Sequence, residues 1–504
     1  MPEHNNASVS PASENNRTDV YAVHGADPEV LAYAMAKYSR SALSMKESLS
    51  ELNAQRAEQF LNTFYFQYGH RSIADLAHIA LAVEKLSLLA AIVVVDEQRW
   101  DGQERSTRYQ NFKKSGWFTP AFGENDEARQ IYTSTIEQLF RSYEEVSHGA
   151  VQLLRSQLAK PDEMKPEAYE RTLRARAFDG ARYLLPLAAN TSLGQIVNAR
   201  TLEAQVSRLL SHTHAEVRQI GEKLRQAAVS PSWSVQRDAL EALQRDISAA
   251  DPLLGERAAA LLLRDIPVAP TLVKYARQAD YQVKSRASLE EAAKEVMCDA
   301  EIEQVPLVVL IESSPNPGQE WVEIEILTTL LYGACHYPYR QIREHVCALS
   351  KDRRDELLLL GTQHRGRHDE LLRAFSSGYS FCFDVLMDIG GFRDMHRHRR
   401  CVQTIQSFTS LHGYEVPELL ANSNLRDPYE QAVRSAHQVF NNLSGADISE
   451  ANPTAQYVLP LGTRCRSLFK MDFAEALYIA ELRSAPQGHI SYRRVAWAMY
   501  QEIA

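Results

Sequence analysis

Apolar and polar positions alternate along the chain in two similar stretches. Val20, Tyr21, Ala22 and Val23 form a short apolar run. Asp27 and Pro28 follow: an aspartate able to cap a helix, and a proline suited to the first helical position, where its missing N–H leaves nothing unpaired. Val30, Leu31, Ala34 and Met35 then recur at the helical period. Much later, Val305 to Ile311 reads as a strand, Ser313 to Pro317 as a turn and Val322 to Tyr332 as a helix. The ends of the two stretches also agree. Tyr183-Leu184-Leu185-Pro186-Leu187 answers Tyr457-Val458-Leu459-Pro460-Leu461. Each is followed by a helical stretch and a histidine-bearing turn, His212-Thr213-His214 in one case and Gln487-Gly488-His489 in the other. Two matches in the same order at similar spacing mark an internal duplication.

Residues 229–302 carry Ala, Leu and Arg at a helical period, as in Asp238 to Leu243, and are punctuated by Pro231, Pro252 and Pro267. They read as a helical connector without functional signal. Residues 1–18 are polar, lack the apolar stretch of a secretion signal and read as a disordered tail. The longest uncharged apolar run, Leu86 to Val95, is short of the roughly 20 residues a membrane span needs.

The length of 504 residues corresponds to roughly two to four domains. With 45% hydrophobic and 24% charged residues the chain has a globular composition. A net charge of −9 argues against a general nucleic-acid binder, yet leaves room for local arginine clusters that hold small anions. Cys298, Cys335, Cys347, Cys382, Cys401 and Cys465 all lie in the second half, and none stands at a zinc-like or redox C-x-x-C spacing. They are expected to be reduced thiols of a cytoplasmic protein without a metal site.

Three segments carry candidate chemistry. Met395-His396-Arg397-His398-Arg399-Arg400 follows Tyr379 to Val385, which alternates as a half-buried strand would. This basic run suits an anionic ligand, because guanidinium groups bind phosphate bidentately and stack on aromatic rings. The same composition also suits a solvated surface turn. In the segment Asp96 to Tyr109, Glu104, Ser106 and Arg108 face one way if the backbone is extended, giving a carboxylate, a hydroxyl and a guanidinium on one edge. An exposed charged loop is the alternative. Gly69 to Asp75 places His70 near Ser72 and Asp75, but no G-x-S-x-G elbow supports a hydrolase triad.

At these residues the chain resembles the flavin-dependent thymidylate synthases. That family carries R-H-R-x-x-S-x-N-E-x-S-x-R-Y, preceded by H-x-S-x-x-E-H. It is followed by an arginine before L-P, then N-x-R and a final arginine. The signature appears here as two incomplete, complementary copies. The first half has His70, Ser72 and Asp75, then Gln103, Glu104, Ser106, Arg108 and Tyr109, then Arg182, Asn198 and Arg200. Asp96-Glu97-Gln98 stand in place of its R-H-R, and Leu209 in place of its final arginine. The second half has Arg397-His398-Arg399 and Arg483, but Thr404-Ile405, Thr409-Ser410, Gln456 and Asp472-Phe473-Ala474 replace the rest. The family's serine is Asp101 in one copy and Val402 in the other, and the glutamine before R-H-R is Asp394.

The resemblance implies an α+β fold of two tandem thymidylate-synthase-complementing-type domains, residues 19–228 and 303–504. Each would be a twisted, largely antiparallel sheet with helices. It implies methylation of dUMP to dTMP with FAD, methylenetetrahydrofolate and NADPH. The catalytic residues would be Arg397 and Arg483. Glu104, Ser106, Arg108, Arg182, Arg397 and Arg483 would bind dUMP. His70, Ser72, Asp75, Gln103, Glu104, Asn198, Arg200, Arg397, His398 and Arg399 would hold FAD. Family members are tetramers with sites between subunits, so a homodimer with composite sites between the halves is expected, without nucleic-acid or membrane partners. A flavin enzyme acting on another pyrimidine nucleotide, or a non-catalytic FAD- or nucleotide-binding protein, are the alternatives.

Overall fold

The computed structural model describes residues 25–37, 71–108, 111–112, 115–298, 300–311, 319–366, 369, 372–375, 381–445, 452–471, 473–486 and 488–503. The run Val20 to Val23, the 313–317 turn and the 1–18 tail lie outside them. In the first half β1 (His78–Ser87), β2 (Asp101–Glu104) and β3 (Asn190–Asn198) form an antiparallel sheet in the order β1-β3-β2. In the second, β4 (Val308–Ile311), β5 (Phe381–Asp388), β6 (Val402–Ile405) and β7 (Arg464–Met471) form an antiparallel sheet in the order β4-β5-β7-β6. The order β5-β7-β6 repeats β1-β3-β2, with β4 added outside β5. The fold is α+β, and the duplication is structural as well as sequential.

The repeat extends to the helix caps. β1 ends at Ser87, whose hydroxyl accepts from Ala90 N at 2.9 Å and starts the Leu88–Val94 helix. β5 ends at Asp388, whose carboxylate accepts from Gly391 N at 2.6 Å and starts the Ile389–Met395 helix. Such side chains satisfy N–H groups that no intrahelical carbonyl can reach. Glu216 accepts from Ser87 Oγ at 2.6 Å, while in the other half Ser491 Oγ donates to Asp388. One contact is thus kept with its partners exchanged.

The two Leu-Pro-Leu segments form the join between the halves. Leu187 N donates to Leu459 O at 2.9 Å and Ala188 N to Tyr457 O at 3.0 Å. In return Leu461 N donates to Leu185 O at 2.9 Å and Gly462 N to Tyr183 O at 2.8 Å. Pro186 lies opposite Pro460, a pairing that asks neither residue for an N–H. One core spans both halves, with Leu88, Tyr132, Leu185 and Leu187 packed with Phe383, Val385, Leu459 and Leu461. The Asp126–Gln157 and Arg426–Ser444 helices, which follow β2 and β6, pack on each other.

The outer faces differ. Helices Gln319–Tyr332 and Tyr339–Ala348 cover the second sheet, so β5 is buried on both faces rather than half-buried as its alternation predicts. Its Asp384 accepts from Tyr332 Oη at 2.7 Å and Arg466 Nη1 at 3.0 Å, which satisfies a charge the pattern would have put in water. The strand read at Val305–Ile311 is shorter, Val308–Ile311, and the helix after it runs Gln319–Tyr332. Between the sheets the chain forms the helices Arg237–Ala250, Pro252–Leu262 and Asp280–Val296. Among the described residues no helix is long and apolar enough to cross a membrane.

Candidate functional site

The pairing of Ser87 with Asn190 and of Asp388 with Arg464 sets the two halves in register. Asp96-Glu97-Gln98 then falls opposite Arg397-His398-Arg399, and Val93 opposite Asp394. Tyr183 and Tyr457 likewise set Arg182 opposite Gln456, and Leu209 opposite Arg483.

Four arginines from the two halves meet at one of the two places this symmetry defines. Arg182 sits in the turn after the Pro166–Ala181 helix, 1% exposed, with Nη1 3.7 Å from Asp394 Oδ2 of the second half. Its Nε and Nη2 find no hydrogen-bond partner among the described residues. Arg108 donates from Nε and Nη2 to the Asp179 carboxylate at 2.7 and 3.1 Å, and from Nη1 to the Tyr492 hydroxyl at 3.1 Å. Arg483, at the end of the Phe473–Ser484 helix, lies 5.5 Å from the Tyr492 ring centroid and donates from Nε to His398 Nε2 at 2.8 Å. Burial pulls the Arg483 guanidinium below its ordinary range; the charge of Asp394 opposes this, and that of Arg397 adds to it. Arg397 itself is exposed.

His398 lies between Arg483 and Glu475. Burial lowers its pKa, and a ring nitrogen that accepts from Arg483 carries no proton. Its Nδ1 lies 3.2 Å from Glu475 Oε1 and so bears the hydrogen. Next along the chain, Arg399 lies over the Trp100 ring of the first half at 5.2 Å. Burial lowers its pKa to about 10, and its Nη2 has no hydrogen-bond partner among the described residues.

The remaining candidates are distributed. Glu104 ends β2 and pairs with Arg393, which also donates to Thr107 Oγ1 at 3.5 Å. The extended edge expected for Glu104, Ser106 and Arg108 is not formed. The strand stops at Glu104 and the chain turns at Thr107 and Arg108. Ser106 Oγ accepts from Arg108 N at 3.2 Å within that turn. Gln103 is exposed on β2, the edge strand of its sheet. Asp75 holds Arg200 at 3.2 Å and Arg99 at 3.4 Å, while Asn198 caps the Ala199–Leu210 helix by accepting from Thr201 N at 2.8 Å. This group gathers at the end of β3. Ser72 lies in the Arg71–Leu76 turn, its side chain outside the described residues, as is His70 altogether.

At the symmetry-related place the counterparts of Arg108, Arg182, Arg397 and Arg483 are Thr409, Gln456, Asp96 and Leu209. Asp96 and Glu97 stand at the Arg397 and His398 positions and bind Arg373 at 2.7 Å and Arg208 at 2.8 Å. Burial works against the Asp96 carboxylate, but Arg373, His396 and Arg208 outweigh it and hold the group well below its ordinary range. An internal ion network fills this place.

Sequence reasoning missed Asp179, Arg393 and Tyr492. Each gains its role only from a partner distant in the chain, 384 positions away for Tyr492 and Arg108, so no local spacing signals it.

Several known proteins are similar to this chain. A protein of Chlamydia muridarum named UPF0159 is 28% identical over 512 residues, spanning 94% of this chain and 88% of its own. A flavin-dependent thymidylate synthase of Clostridium tetani is 24% identical over 177 residues, 35% of this chain and 67% of its own. A crystal structure of the Helicobacter pylori flavin-dependent thymidylate synthase complexed with FAD and dUMP matches at 15% identity and a TM-score of 0.27, covering 40% of this chain and 89% of that one. The family described as thymidylate synthase complementing protein matches residues 22–231 and again 336–504, well over half of the chain. Each half therefore carries one copy of the same family domain, and the chain belongs to the thymidylate synthase complementing protein family.

Proposed function

We propose that this chain is a flavin-dependent methyltransferase that converts dUMP to dTMP, with methylenetetrahydrofolate as carbon donor and NADPH as reductant. The observation that carries the reading is the gathering of Arg108 and Arg182 with Arg397 and Arg483. Buried guanidinium nitrogens without acceptors among the described residues, Nε and Nη2 of Arg182 and Nη2 of Arg399, are costly unless an anionic ligand completes them. A nucleotide phosphate and the diphosphate of FAD are such ligands, so the residues present fit both groups.

In this reading Arg108, Arg182 and Arg483 bind the dUMP phosphate, with Ser106 beside them in the Arg108 turn. Arg397 polarises a uracil carbonyl, an electrostatic role rather than covalent catalysis. His398, neutral and held by Glu475, orients Arg483. Asp75, Asn198, Arg200 and Arg399 hold FAD, which when bound supplies the redox chemistry of methyl formation. The units would be residues 19–228 and 303–504 joined by 229–302, in a cytoplasmic homodimer with one working site per chain. A second reading, methylation or reduction of another pyrimidine nucleotide, is favoured by Asp394, which adds a carboxylate beside Arg182.

The test is tritium release from dUMP labelled at C5, with FAD, NADPH and methylenetetrahydrofolate supplied and dTMP identified as product. Release with dTMP supports the first reading. FAD binding without release from dUMP contradicts it and turns attention to other pyrimidine nucleotides.

A further inference from the structure

We propose that Tyr492 is a positioning residue that locks the arginines of the two halves into one phosphate-binding constellation. This rests on reading the arginine cluster as the nucleotide site. Arg108 belongs to a turn of the first half and Arg483 to a helix of the second, and Tyr492 touches both. Its hydroxyl accepts from Arg108 Nη1 at 3.1 Å, and its ring carries the Arg483 guanidinium at 5.5 Å. Tyr492 itself is 5% exposed.

A closed ring of contacts fixes the tyrosine. The Ile490–Ile503 helix that bears it is tied at Ser491 to the Asp388 cap. Just before that helix, His489 Nε2 lies 3.1 Å from the carbonyl oxygen of Asp179, and the Asp179 carboxylate holds Arg108. Moving Tyr492 would therefore strain both sides of the Arg108 clamp.

The duplication separates what the fold needs from what the site needs. His489 and His214 begin equivalent helices, accepting at their carbonyls from Arg493 N at 3.1 Å and Arg218 N at 3.2 Å. Each ring also reaches a backbone carbonyl of the other half's approach to the join, Asp179 for His489 and Pro453 for His214. The histidines and the joining tyrosines Tyr183 and Tyr457 are thus kept in both copies. Tyr492 is not, because three residues after His214 stands Val217. At the place Val217 serves, Thr409 replaces Arg108, Leu209 replaces Arg483 and Pro453 replaces Asp179. The tyrosine is present only where the arginines are, which ties it to ligand binding rather than to folding.

The experiment titrates dUMP into FAD-loaded wild-type protein, Tyr492→Phe, Arg108→Ala and the double variant by calorimetry, with thermal melting as the folding control. Tyr492→Phe keeps the ring under Arg483 and removes only the acceptor for Arg108. We expect it to weaken dUMP about tenfold, to change the maximal rate of tritium release by less than about twofold because the loss falls in binding, and to melt like wild type. In the Arg108→Ala background the same substitution should add almost nothing, since the two groups act together. Unchanged dUMP affinity in Tyr492→Phe, or full additivity in the double variant, overturns the inference. Absence of dUMP binding by the wild type overturns the functional reading and the inference with it.

Discussion

Arg182 Nη1 lies 3.7 Å from Asp394 Oδ2, and the two residues come from opposite halves of the chain. Their counterparts at the other symmetry-related place are Gln456 and Val93, so both charges are present at one place and absent from the other. Arg182→Ala is expected to weaken dUMP by about 10- to 100-fold, the loss of a charged hydrogen bond to a buried anion. Asp394→Gln should tighten dUMP by a few-fold, because the carboxylate competes with phosphate for Arg182. Titrations of both variants check the pair. Weaker binding in Asp394→Gln would mean that the carboxylate serves chiefly to hold the arginine in place.

The shared join makes the halves one cooperative unit. Leu461 is fully buried in the common core and donates across the join to Leu185 at 2.9 Å. Leu461→Ala should cost about 2–5 kcal/mol. Denaturant unfolding followed separately by circular dichroism and tryptophan fluorescence should show one coincident transition at lower denaturant. Two separated transitions would show that the halves unfold independently.

Buried histidines make the fold sensitive to acid. Burial is the largest cause that lowers His214, His396 and His437 to about 4 and His412 to about 3, from an ordinary 6.5. Below 6.5 the unfolded chain takes up protons that the folded chain refuses until about 4. The stability these groups give is complete above 6.5 and falls as the pH drops toward 4, by about 1.4 kcal/mol per pH unit for each histidine. Thermal midpoints should be level above pH 7 and descend steadily between pH 6.5 and 4. A level profile across that window contradicts the assignment of neutral buried rings.

Arg399 and Trp100 offer a test of the proposed flavin site. The guanidinium lies over the indole at 5.2 Å, joining a basic residue of the second half to the first. If FAD binds beside this pair, its addition quenches tryptophan fluorescence, and Arg399→Ala weakens FAD by about tenfold through loss of a charged contact. Equal FAD affinity in the variant would remove Arg399 from the cofactor site.

Much of this architecture is legible in the sequence because the same residues serve both as signal and as structure. Tyr183 to Leu187 and Tyr457 to Leu461 stand out as a repeat, and they are the segments that pair across the join. Arg108, Arg182, Arg397 and Arg483 stand out through motif spacing, and the fold gathers them. What escapes is set by distant partners. The alternation at β5 suggests one wet face, but helices Gln319–Tyr332 and Tyr339–Ala348 close over it. Glu104 reads as a ligand-facing carboxylate, yet Arg393 occupies it. Asp179 and Tyr492 resemble ordinary helix residues until tertiary structure sets them on Arg108.

In the proposed function each chain builds one nucleotide site from both of its halves, while the related place is filled by Asp96, Glu97 and their arginines. Stoichiometric titration of dUMP into FAD-loaded protein tests it most directly, with Arg182→Ala and Arg483→Ala in parallel. One dUMP bound per chain, lost in either variant, is the expected result. Two per chain, or one that survives the loss of Arg182 or of Arg483, would contradict it.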